Sequence, residues 1–81
     1  MRQEILTELT RTLVHAFDLE PEAVTPQARL VDDLDLDSID AIDMSVKAQP
    51  LAGRKMTDEE LRSLRTVDDV VALIVRMRQE G

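Results

Sequence analysis

Three separate stretches of this chain carry apolar residues at separations of three and four, and no stretch alternates apolar with polar as a half-buried strand would. That pattern restricts the chain to an all-α fold. The first stretch runs from Arg2 to about Phe17, where Ile5, Leu6, Leu9, Leu13, Val14 and Phe17 follow the helical period without an intervening Gly or Pro. The second begins at Ser38, with Ile39, Ile42 and Val46 drawing one apolar stripe and Asp40, Asp43 and Lys47 on another face. The third comprises Val67, Val70, Val71, Ile74 and Met77, and the stripes of the second and third stretches are read as core.

Capping chemistry sets the boundaries. Asp37 and Ser38 are both good N-cap residues, because a short side-chain oxygen accepts from the free N–H groups of the first turn. Asp40 stands at the reciprocal capping-box position relative to Asp37. Taken alone, a serine in this setting is a helix cap far more often than anything else. The second helix is expected to run to about Gln49 or slightly past it, kinked or ended by Pro50, which has no N–H for the carbonyl of Val46, with Gly53 closing the segment. Thr57 and Glu60 form a second capping box, opening a short helix to about Leu64. Thr66 and Asp69 repeat the pattern before the last helix; Arg76 and Arg78 suit its C-terminal end, and Gln79 to Gly81 are expected to fray. The predicted fold is therefore a small four-helix bundle, three longer helices plus a short third one, with residues 1–81 forming one domain.

The connection from Asp18 to Asp37 is long, and Pro21 and Pro26 keep it from being one continuous helix. Connections of this length are usually functional or packed by their own side chains. Leu19, Val24, Leu30, Leu34 and Leu36 are the apolar groups expected to pin it to the core.

Composition narrows the function. Seventeen acidic and ten basic residues give a net charge of −7. That charge disfavours nucleic acid and anionic membranes and favours basic protein surfaces as partners. With 81 residues, only about 60–65% of the unfolded chain's surface can be buried. There is no Cys, so a thiol acting here must arrive on a cofactor. The single His15 has no second His or Cys to join it as a metal ligand, and no nucleophile–base pair suggests an enzyme. No apolar run is long enough for a signal peptide or a stable membrane insertion, which makes a cytoplasmic monomer the expectation.

The charge is concentrated. Between Leu30 and Val46 there are six Asp (32, 33, 35, 37, 40 and 43) and no Lys or Arg. Asp33, Asp35 and Asp37 stand two apart like the first ligands of a calcium-binding loop, but Ser38 and Met44 occupy the places of the required Gly and Glu, so no metal site is expected. Scattered acids would serve solubility; acids gathered around one serine speak for a docking surface.

At Asp37-Ser38-Ile39 the chain resembles the acyl carrier proteins, whose Asp-Ser-Leu or Asp-Ser-Ile motif carries a 4'-phosphopantetheine arm on the serine. The likeness extends over nearly the whole chain: first helix, long loop, acidic second helix, short third helix and the Thr66-Val67 start of the last. It implies Ser38 as the attachment residue, with Asp37 supporting the Mg²⁺ of a phosphopantetheinyl transferase. It implies docking through Asp35, Ile39, Asp40, Asp43, Met44 and Lys47 to basic patches on that transferase, on ketosynthase and on other acyl-processing enzymes. The implied role is a non-catalytic carrier of acyl thioesters in fatty-acid or specialised polyketide synthesis; the competing reading is an unmodified acidic helical adaptor for a basic protein. Two departures stand out. Asp35 replaces the family's usual Gly three places before the serine, so it must accept that turn's backbone angles with a Cβ. Gln49 and Pro50 stand where many members carry acids, which alters the docking surface.

Overall fold

The computed structural model describes residues 2–80 and contains four α-helices: α1 (Arg2–Phe17), α2 (Ser38–Ala52), α3 (Asp58–Ser63) and α4 (Val67–Glu80). A 3₁₀ turn, Pro21–Ala23, sits in the connection between α1 and α2. No strand forms among the described residues; one isolated bridge pairs Arg29 with Thr66. The fold is thus the all-α four-helix bundle expected, with α3 the short member.

The core is aliphatic. Ile5, Leu9 and Leu13 of α1 are fully buried against Val67, Val70 and Ile74 of α4 and Met44 and Ala48 of α2, with Leu6, Val14 and Phe17 half-buried around them. The stripe read on α4 faces inward as expected, and Leu73 joins it. Among the described residues no polar or charged side chain is buried, so the interior they form carries no ionic desolvation cost.

The stripe on α2 faces the other way. Ile39, Ile42 and Val46 are 74%, 57% and 55% exposed, while Met44, Ala48 and Ala52 form the buried face. Both sets follow the helical period, and packing decides between them: small Ala side chains let α1 and α4 approach the α2 backbone closely, which three branched side chains would prevent. Pro50 neither ends nor breaks the helix. α2 continues to Ala52 because the proline falls in the last turn, where only the bond to Val46 is forgone, at an exposed residue. Gly53 then closes it in the left-handed conformation at φ 91°, donating its N–H to Gln49 O.

α3 and α4 start as the capping chemistry requires. Thr57 Oγ1 accepts from Glu60 N at 3.1 Å while Glu60 Oε1 accepts from Thr57 N at 2.8 Å. Thr66 and Asp69 make the same exchange at 3.2 and 3.1 Å. Contrary to expectation, Gln79 and Glu80 remain helical, and Glu80 is tied to Arg54 at 2.9 Å. Gly81, also expected to fray, lies outside the described residues.

The long connection is folded onto the bundle. Val24, Leu30, Leu34 and Leu36 are buried and Leu19 packs against the core, as their apolar character requires. Backbone bonds then latch it to the start of α4: Leu30 N donates to Arg65 O at 2.8 Å, Val67 N to Ala28 O at 2.9 Å and Asp68 N to Pro26 O at 2.9 Å. The loop groups belong to irregular backbone, and Val67 N and Asp68 N are first-turn donors of α4 without intrahelical partners, so all would otherwise be left to water or go unpaired.

Candidate functional site

The segment before α2 is shaped by its own short bonds. Leu36 N donates to Leu30 O at 2.9 Å, and Asp33 Oδ2 accepts from Arg29 N at 2.7 Å. With Leu30, Leu34 and Leu36 all turned inward, the loop's path up to residue 36 is fixed. Asp35 lies between two of these anchors with φ 56°, the left-handed region that Asp tolerates better than most side chains. The same angle occurs at Asp18 (φ 54°), just past the end of α1, where sequence reading gave no warning.

The question of which residue caps α2 now has an answer. Asp37 is the N-cap: its Oδ1 accepts from Asp40 N at 2.9 Å, and Asp40 Oδ2 accepts from Asp37 N at 3.2 Å, a complete capping box. Ser38 is therefore the first helical residue. It is exposed, and its hydroxyl makes no hydrogen bond among the described residues. Because the neighbouring Asp satisfies the helix end, the serine Oγ is left free and outward, at the positive end of the α2 dipole.

The other expected site residues fall into three groups. Asp35 and Ile39 are exposed beside Ser38, and Asp40 is half-buried within the cap. Asp43 is half-buried and accepts from Lys47 Nζ at 2.8 Å one turn on, so this part of the acidic face is locally neutralised. Met44 is a correction: it is fully buried among the core residues, so a docking protein does not meet it at the surface. It follows Ile42 by two residues, which on a helix puts it on the opposite side from the exposed stripe. Asp32 and Asp33 lie 3.4 and 3.6 Å from the Arg29 guanidinium, leaving Asp35, Asp37 and Asp40 as carboxylates with no cationic partner among the described residues. No group of three residues able to hold a metal ion converges among the described residues.

A cleft of about 470 Å³ opens next to Ser38. Ser38, Ala41 and Ile42 of α2 form one wall, Leu61 of α3 and Leu64 just past its end another, and Leu30, Val31 and Leu36 of the loop the third; Met44 lies at its inner side. Sequence reading missed the loop and α3 contributions, because they depend on how the connection docks and leave no spacing signal.

An ionic clasp holds α3 from the other side. Arg54 donates to both oxygens of Glu60 at 3.0 and 2.9 Å and to Glu80 at 2.9 and 3.1 Å, and Arg76 lies 3.6 Å from Glu60. The Arg54 hydrogen bonds, reinforced by the Thr57 N–H, lower the Glu60 carboxyl to about 2. The same guanidinium lowers Glu80 and is itself raised.

Comparison with known proteins adds to this geometry. Residues 6–74 match the family described as phosphopantetheine attachment site. The chain is 44% identical over 71 residues, 88% of each chain, to acyl carrier protein 2 of Ralstonia nicotianae. It is 40% identical to the meromycolate extension acyl carrier protein of Mycolicibacterium aurum, over 99% of this chain and 82% of that one. A solved acyl carrier protein structure from Enterococcus faecalis superposes with a TM-score of 0.75 at 30% identity, covering 94% of this chain and 96% of that one. With an exposed serine free at the head of an acidic helix and a family match spanning most of its length, the chain belongs to the acyl carrier family of phosphopantetheine-attachment proteins.

Proposed function

We propose that Ser38 is the residue that bears the 4'-phosphopantetheine arm, and that this protein carries acyl intermediates on it for fatty-acid, meromycolate-type or specialised polyketide synthesis. The observation that carries the reading is the uncommitted Ser38 hydroxyl, exposed because Asp37 performs the capping. The residues fit the group: an open nucleophilic oxygen, helix N–H groups beside it for a phosphodiester, and a largely aliphatic cleft alongside. When attached, the arm supplies a terminal thiol on which an acyl group is held as a thioester. This chain's residues do the rest by binding and orientation. Asp37 Oδ1 is engaged by Asp40 N, and its second oxygen is available toward the transferase's Mg²⁺. Leu30, Leu36, Leu61 and Leu64 line a space that excludes water from an acyl chain.

Asp35, Asp40 and the exposed Ile39 form the face offered to the transferase, to ketosynthase and to other acyl-processing enzymes, with Asp43 and Lys47 at its far edge as a neutral pair. Ile42 and Val46 extend that face with apolar surface, so partners are expected to match it with both basic and apolar groups. The protein acts as a carrier without catalysis of its own, as a monomer in the cytoplasm; no described helix is long and apolar enough to cross a membrane. An unmodified adaptor is disfavoured by the family match, which is to an attachment site.

The test is mass spectrometry after incubation with coenzyme A and a broad-specificity phosphopantetheinyl transferase. Wild type is expected to gain the mass of one arm and Ser38→Ala none. An arm on the Ser38→Ala protein, or none on wild type, would refute the assignment.

A further inference from the structure

We infer that Arg62, on the α3 wall of the cleft, is the counter-charge that holds the phosphodiester of the arm. The inference rests on Ser38 being the attachment residue. Ser38 and Arg62 line the same cleft, and Arg62 is the one cation among the described residues that does so; the other charged groups there, Asp37 and Asp58, are acidic. A phosphodiester on Ser38 adds negative charge to a rim that is already negative, which costs free energy unless a cation or free N–H groups meet it.

The helix end supplies only part of the answer. Its Asp37 and Asp40 N–H groups are engaged by the reciprocal carboxylates of the capping box, so fewer backbone donors remain for an anion than an uncapped helix would offer. Other cations are committed elsewhere: Arg2 to Asp68, Arg11 to Glu8, Arg29 to Asp32, Lys47 to Asp43, and Arg54 to Glu60 and Glu80. Arg62 takes part in none of these pairs and makes no side-chain hydrogen bond among the described residues. Lys55, Arg65 and Arg78 are also free of ion pairs among those residues, but none of them lines the cleft. A guanidinium is well suited to the task, because its fork of N–H donors matches two oxygens of a phosphate.

The experiment compares wild type, Arg62→Gln and Arg62→Lys, each before and after complete loading of the arm, by thermal melting at low salt. Arg62→Gln is expected to lower the melting temperature of the loaded protein by roughly 2–5 °C more than that of the unloaded one, the size expected of an exposed charge pair in a domain of this length. Arg62→Lys should retain most of the difference, and ~1 M salt should abolish it. In the wild type the Arg62 Nε–H resonance should shift on loading. Equal losses in loaded and unloaded Arg62→Gln, or an Arg62 resonance unmoved by loading, would overturn the inference while leaving the carrier assignment intact. Failure of wild type to take up an arm on Ser38 would overturn both.

Discussion

Asp37 combines two roles that a pair of substitutions separates. Its side chain accepts from Asp40 N at 2.9 Å and so holds the first turn of α2, the turn that presents Ser38. Truncation to Ala removes that acceptor and ends the reciprocal box, a loss of about 1 kcal/mol and at most ~2. Loss of the negative charge at the positive end of the helix removes a further ~0.3–1 kcal/mol, largely offset by relief of repulsion from Asp35 and Asp40. The net is about 1–1.5 kcal/mol, which in a domain of this length lowers the melting temperature by about 4–12 °C. Asn caps as well as Asp, so Asp37→Asn should stay within about 0.5 kcal/mol of wild type. If the carboxylate also assists the transferase's Mg²⁺, both variants should be modified about 10-fold more slowly or worse, Asp37→Asn included. Circular dichroism melts and hydrogen exchange at the Asp40 and Ala41 amides read the first role; the rate of mass gain reads the second. An Asp37→Ala protein melting within a degree of wild type would refute the capping argument. Full-speed modification of Asp37→Asn would refute the metal-assisting one.

Other consequences follow from the same geometry. Because Arg54 and the Thr57 N–H hold Glu60 at about 2 in the folded protein, against 4.5 ordinarily, its contribution to stability is complete above pH ~4.5 and is lost as pH falls toward 2. Urea titrations of Glu60→Gln across that window should therefore show a shallower acid-side decline than wild type, and an unchanged slope would contradict the clasp. Met44→Ala should cost about 2–5 kcal/mol and Ile39→Ala within about 0.5 kcal/mol, reversing the order expected from side-chain hydrophobicity alone, as denaturation midpoints will report. At Asp35, with φ 56°, substitution by Gly relieves backbone strain and one acidic charge. It should leave stability equal to or about 0.5 kcal/mol above wild type, whereas Asp35→Ala should fall below it; thermal melts showing the Ala variant as the more stable of the two would disprove the strain.

Much of the fold was legible because it rests on local chemistry. The α1 stripe, the Thr57–Glu60 and Thr66–Asp69 boxes and the inward leucines of the connection each follow from spacing or capping that acts within a few residues. The α2 stripe was not legible. Ile39, Ile42 and Val46 satisfy the helical period as well as Met44, Ala48 and Ala52 do, and hydrophobicity favours the wrong set. Likewise Pro50 reads as a terminator by its chemistry, yet one lost bond in a final turn is cheaper than unwinding a helix whose Ala52 is buried.

The sequence by itself determined the helices, their starts and the serine around which the acids gather, since propensity, capping and charge are properties of neighbouring residues. The tertiary structure alone decided which face of α2 turns inward and that Asp37, not Ser38, satisfies the helix end. It alone closed the cleft beside that serine, joining α3, the loop and Arg62 to it. Those outcomes depend on how closely three helices can approach and where a twenty-residue connection docks, and both are settled by contacts between segments far apart in the chain.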